Sequence, residues 1–92
     1  MKPQTYARGE ALRVTWVDST QSDGWLYAEN PPVHIERIVT QGFAVNTSPD
    51  GLNMTSTISK LGGVLGLVTI PWACITSIQE LKDWNRGNLP RM

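Results

Sequence analysis

Pro49, Asp50 and Gly51 stand between two runs rich in extended-chain formers, and that placement constrains the fold more than any other stretch. Proline presets φ for the second position of a tight turn, and glycine reaches the left-handed region at little cost. Thr47-Ser48-Pro49-Asp50-Gly51 therefore reads as a hairpin turn with Gly51 left-handed. A hairpin needs two extended arms. Val33 to Val45 supplies the first, with β-branched Val33, Ile35, Ile38 and Val39. Gly42 interrupts it, and an isolated glycine in a strand marks a bulge or sharp bend. Beyond it, Phe43 and Val45 share one face and Ala44 takes the other. Leu52 to Ser59 supplies the second arm, with Leu52, Met54, Ser56 and Ile58 alternating against Asn53, Thr55 and Thr57.

Period-two alternation also runs through Ala11 to Ser19, where Leu12, Val14 and Trp16 oppose Arg13 and Thr15 and Asp18-Ser19 brings turn chemistry at the end. Lys60-Leu61-Gly62-Gly63 is a second turn. Val64 to Ile70 is a nearly continuous apolar strand, expected to be buried on both faces or bent at Gly66. Pro71-Trp72-Ala73 breaks it and predicts one 3₁₀ turn before a last strand, Cys74 to Ile78. Ser77-Ile78-Gln79-Glu80 also fits a capping box, with Gly87 as the stop, so a helix from about Ile78 to Arg86 competes with that strand. Thr20 to Pro32 is polar and broken, with room for one helical turn around Trp25 to Glu29. Five short strands separated by Gly and Pro turns predict an all-β fold. Its expected form is a small five-stranded SH3/Sm-like barrel over residues 1–81. A short 3₁₀ turn precedes the last strand, and residues 82–92 form a C-terminal tail or short helix.

Composition narrows the chemistry. Eight Lys and Arg balance eight Asp and Glu over 92 residues. Zero net charge argues against a nucleic-acid binder that works by overall charge. One cysteine and one histidine leave no internal disulfide, no cysteine-based zinc site and no histidine cluster. No metal and no cofactor is expected. Cys74 with His34 is the only conceivable nucleophile–base pair; a structural cysteine and a surface histidine are the plainer reading. Asp18 and Asp23 are close in sequence but have ready roles capping backbone N–H groups. Lys60 to Gly66 lacks the G-K-[ST] of a phosphate loop, although its successive N–H groups could form a small anion nest. No catalytic residue is assigned, and the expected class is not an enzyme. No apolar h-region follows Met1 to Tyr6, and Leu61 to Trp72 is too short and broken for a membrane span. The expected compartment is a cytoplasm, with Cys74 reduced.

The binding candidates are aromatic and cationic. Trp25 and Tyr27 stand among turn formers in the loop that begins at Asp18 and Ser19, where large rings give contact area at low entropic cost. Trp25 could equally fold back as a lid. Trp84, flanked by charges in the tail, suits docking on a partner or a second protomer. Arg13 and Arg37 fall on outward strand positions and, with Arg8 and Lys60, could converge on one face. Trp16 reads as core, and Trp72 as core or surface plug.

The order of motifs carries a resemblance. Val14-Thr15-Trp16-Val17-Asp18-Ser19, Gly24-Trp25, Gly42-Phe43-Ala44-Val45 and Ile70-Pro71-Trp72-Ala73-Cys74-Ile75-Thr76-Ser77-Ile78 follow one another over about Leu12 to Leu81. This resembles a group of small, mostly uncharacterised proteins encoded by bacteriophages and prophages, with a V-x-W-x-D-S, G-W, G-F-x-V and I-P-x-x-C-I-x-x-I pattern. Ala44, where a larger apolar residue is usual, and the Trp84 tail depart from it. The resemblance implies a small barrel and a phage accessory role in the host cytoplasm, and no activity. The expected function is a non-enzymatic binding protein that antagonises a host defence factor. It would do so by covering a protein surface or, as an oligomer, by sequestering a nucleotide-like signalling ligand. The alternatives are an RNA- or DNA-binding barrel and a structural virion subunit.

Overall fold

The structure is a computed structural model, and it describes residues 1–19, 27, 29–31, 33 and 35–82. Among the described residues there are seven strands: β1 (Ala11–Ser19), β2 (Ile35–Thr47), β3 (Gly51–Thr55), β4 (Thr57–Ile58), β5 (Val64–Leu65), β6 (Val68–Pro71) and β7 (Ile75–Glu80). A 3₁₀ turn, Trp72–Cys74, joins the last two. The main sheet is antiparallel, in the order β6-β3-β2-β1-β7, and β4 and β5 pair separately. The fold is thus all-β, as expected, but the sheet is open where a closed barrel was expected. The two edge strands are joined directly by the Trp72–Cys74 turn, and the buried Trp72 packs there in place of a closing ladder.

The core follows the alternation. Leu12, Val14, Ala44, Leu52, Met54, Ile70, Trp72 and Ile75 form one buried cluster, and Tyr6, Trp16, Val68 and Ile78 pack against it. Trp16 is only half-buried, and its indole N–H donates to Thr40 Oγ1 at 3.0 Å. Trp72 resolves to core: its indole N–H donates to Ser48 O at 2.8 Å and its backbone N–H to Asp50 O at 3.2 Å. One residue thereby ties the β2–β3 turn to the approach of the last strand.

That turn forms where the sequence places it, but Gly51 is not left-handed; among the described glycines only Gly9, Gly62 and Gly66 have positive φ. Ser48 Oγ accepts from the Asp50 N–H, and Ser48 N–H donates to Gly51 O. Position 51 requires glycine for space: a Cβ there would lie 2.7 Å from the Ile70 carbonyl oxygen. Gly42 is likewise a close approach, 2.5 Å from Thr55 O for an added Cβ, and not a bulge. The irregularity falls between Ala44 and Asn46.

The two expected arms Leu52–Ser59 and Val64–Ile70 are each broken once, at Ser56 and Gly66. One register nevertheless continues through both breaks, with Met54 opposite Val68 and Thr57 opposite Leu65. β3–β4 and β5–β6 are therefore a single hairpin with a kink. Gly66, at φ 75°, supplies the bend, and an added Cβ would meet Ser56 Oγ at 2.8 Å. The buried Thr55 hydroxyl donates to the carbonyls of Leu65 and Thr57, at 2.5 and 3.0 Å, bridging the interrupted ladder. Val64, Leu65 and Leu67 are exposed, so burial of this run on both faces is not what forms. The last strand extends to Glu80, which overrides the capping-box signal at Ser77. The β1 ladder continues through Ser19, so Asp18 lies within a strand, opposite Glu36.

Two outcomes follow. Gly51→Ala is expected to cost about 1–3 kcal/mol in urea unfolding, because backbone must shift to admit the methyl group. Gly63→Ala, whose Cβ would meet only the Ser59 hydroxyl at 3.2 Å, costs less. The Tyr6 phenol is held above its ordinary pKa of 10.0, first by burial and then by the carboxylates of Glu80 and Glu10. Its folded pKa exceeds the unfolded one, so its contribution is intact below pH 10.0 and is lost as pH rises through the folded value. Tyr6→Phe should flatten that alkaline fall, read from denaturation midpoints measured up to about pH 11.

Candidate functional site

The ladder between β1 and β2 outruns the rest of the sheet. β1 pairs with β2 along its whole length, but with β7 only over Leu12 to Trp16. β2 meets β3 only from Phe43 onward. Val17–Ser19 and Ile35–Arg37 therefore form a two-stranded ribbon beyond the core. Register sorts its side chains. Trp16 and Ile38 face the core side, followed at the tip by Asp18 opposite Glu36. Thr15, Val17, Ile35, Arg37 and Val39 share the outer face.

On that outer face Ile35 and Val39 are 59% and 61% exposed and flank the exposed Arg37, which has no hydrogen-bond partner among the described residues. Val17, opposite Arg37, is half-buried. Tyr27 and Val33, in the segment between the strands, are 94% and 91% exposed. An arginine framed by β-branched side chains has the chemistry of a protein contact: a planar donor fork and apolar area together.

The expected site residues divide. Arg13 and Arg37 do lie on the same outer face, but the register sets them four residues apart along the ladder, about 13 Å. Arg13 is engaged at home: its Nε donates to Gln41 Oε1 at 3.1 Å and its Nη1 to Gln79 Oε1 at 3.3 Å. Asp18 is exposed at the ribbon tip, and Ser19 pairs with Ile35 in the ladder. Trp25 and Trp84 lie outside the described residues, as do Asp23 and His34. Cys74 is half-buried in the 3₁₀ turn. Among the described residues no group of three or more His, Cys, Asp or Glu could hold a metal ion, and no helix is long and apolar enough to cross a membrane.

Lys60 belongs elsewhere, at the tip of the kinked hairpin, and Arg8 joins it there. The Arg8 Nη2 donates to Gly62 O at 2.6 Å. Arg8, Gly9 and residues 58–62 line a cleft of about 370 Å³. The anion nest does not form, because the Gly62 N–H donates to Ser59 O and the Gly63 N–H to Ser59 Oγ. A smaller hollow of about 150 Å³ lies over Gly42, lined among others by Phe43, Ser56 and Leu81. The four cations therefore do not converge: Arg8 and Lys60 form one pair, and Arg13 and Arg37 stand apart on the other ladder.

The outward apolar pair Ile35 and Val39 was not singled out from sequence, although its signal is present. Both share the parity of Arg37, so a strand that sends Arg37 outward must expose them. Comparison with family models, curated proteins and solved structures found no match. Arg8→Ala should release the hairpin tip, accelerating amide exchange at Gly62 to Val64 about two- to tenfold while the global unfolding midpoint stays in place.

Proposed function

We propose that this chain is a non-enzymatic binding protein of bacteriophage or prophage origin, which antagonises a host defence factor by covering part of its surface. The observation that carries the reading is the outer face of the β1–β2 ladder, where exposed Ile35 and Val39 frame Arg37, whose side chain has no partner among the described residues, beside strand edges that no described residue pairs with. Apolar area around a desolvatable arginine is the composition of an interface centre. An extended ribbon offers both side-chain contacts and free backbone groups to a protein partner. The same surface suits a sequestered nucleotide less well, since Arg13 is already held by two glutamines and stands about 13 Å from Arg37.

We further propose an SH3/Sm-like topology whose sheet is left open between its edge strands. It is supported by the strand order, in which the last strand pairs with the first, and by the 3₁₀ turn just before that last strand. Antagonism of a host factor and phage origin rest on the motif resemblance alone.

The test is affinity purification from bacterial cells with the tagged wild type and an Ile35→Ser/Val39→Ser variant. The expected result is one co-purifying protein, depleted about tenfold or more by the variant, as loss of buried aliphatic contacts implies. A variant that unfolds like the wild type yet retains the same partner would overturn the reading. So would co-purification of RNA or a nucleotide in place of a protein.

A further inference from the structure

The kinked hairpin carries a second exposed apolar group, on strands other than those of the ribbon. Leu61 at its tip is 99% exposed, and Leu65 and Leu67 on the returning arm are 71% and 54% exposed. Leu61 is displayed by a built turn, because Ser59 N–H donates to Gly63 O while Ser59 O and Oγ accept from the N–H groups of Gly62 and Gly63. Backbone groups satisfied within the turn lower the cost of moving it into a less polar medium.

Among the described residues that line the tip, the charge has one sign. From Gly51 through Gln79 the only charged residue is Lys60. Arg8 adds a second cation from outside that stretch, pinned to Gly62 O by one of its five donors. Glu10, the acidic residue nearest Arg8 in sequence, is turned into its own loop, where its carboxylate accepts from the Ala7 N–H at 3.1 Å. Arg8 and Lys60 thus border a cleft of about 370 Å³ with Ile58 and Leu61 beside them. No aromatic side chain lines it, so a nucleotide base would find nothing to stack on. Two cations at the rim of the cleft, with the fully exposed Leu61 at the tip between them, match a phosphate headgroup above an acyl chain.

We propose that the tip of the β4–β5 hairpin docks on an anionic phospholipid surface, with Arg8 and Lys60 at the lipid phosphates and Leu61 reaching the acyl boundary. The run is too short to span a bilayer, and contact at the interface requires no span. This contact is independent of the protein partner at the ribbon, and each surface can be removed without the other.

The test is vesicle flotation of the full chain, with phosphatidylcholine alone and with phosphatidylglycerol as about one lipid in three. The expected result is flotation with the anionic vesicles only, weakening as salt rises. Leu61→Ser and Arg8→Gln/Lys60→Gln should each lower the bound fraction about tenfold at unchanged thermal unfolding. Absence of flotation with anionic vesicles at low salt would overturn the proposal, as would equal binding by the wild type and both folded variants. Thermal stabilisation by ATP or inorganic phosphate without any flotation would assign the cleft to a soluble anion and overturn it too.

Discussion

The buried indole of Trp72 is the contact on which the architecture depends. It occupies the core, hydrogen-bonds the Ser48 carbonyl, and through its backbone N–H reaches Asp50 in the same turn. Those bonds join the β2–β3 turn, at one edge of the chain's path, to the connection between the two edge strands of an open sheet. A small domain has a thin core, and here the described buried hydrophobics are few and mostly aliphatic. A large side chain that fills space and satisfies its own polar atom contributes more to such a core than any neighbour. Pro71 ahead of it and Gly51 beside the Ile70 carbonyl are the local conditions for that close approach.

Much of the fold is legible in the sequence where physics is local. The alternation of Leu12, Val14 and Trp16 bounds β1 at the residues observed, and Pro71-Trp72-Ala73 announces the 3₁₀ turn. What was not legible depends on contacts between distant segments. Gly51 and Gly42 look like conformational glycines, yet each is small because a carbonyl from another strand lies against it. The kink of the second hairpin needs both Ser56 and Gly66, ten residues apart in the chain and in contact only once the strands pair. Sheet closure is also a global property: no local signal distinguishes edge strands that meet from edge strands joined by a turn. For the candidate site, parity along β2 contained the exposure of Ile35 and Val39. The convergence of Arg8 with Lys60, in contrast, requires Arg8 to reach across to a loop fifty-four positions away.

Stability and recognition occupy different parts of the chain. The core draws on the N-terminal half of β1, the C-terminal half of β2, β3, β6, Trp72 and the start of β7. The two extensions beyond it, the β1–β2 ribbon and the β4–β5 tip, expose the large aliphatic groups. Neither extension is needed to complete the buried cluster, so their side chains are free to meet other molecules. Each combines aliphatic area with arginine or lysine, which suits binding by desolvation without any reacting group.

The account turns on the ribbon as the contact surface. Its most direct measurement is amide hydrogen exchange of the chain, alone and bound to the purified host partner. The account predicts slowed exchange at the open-edge amides of Ile35 to Val39, with the β3–β6 ladder unchanged. Protection confined to other strands, or none at the ribbon in a saturated complex, would contradict it.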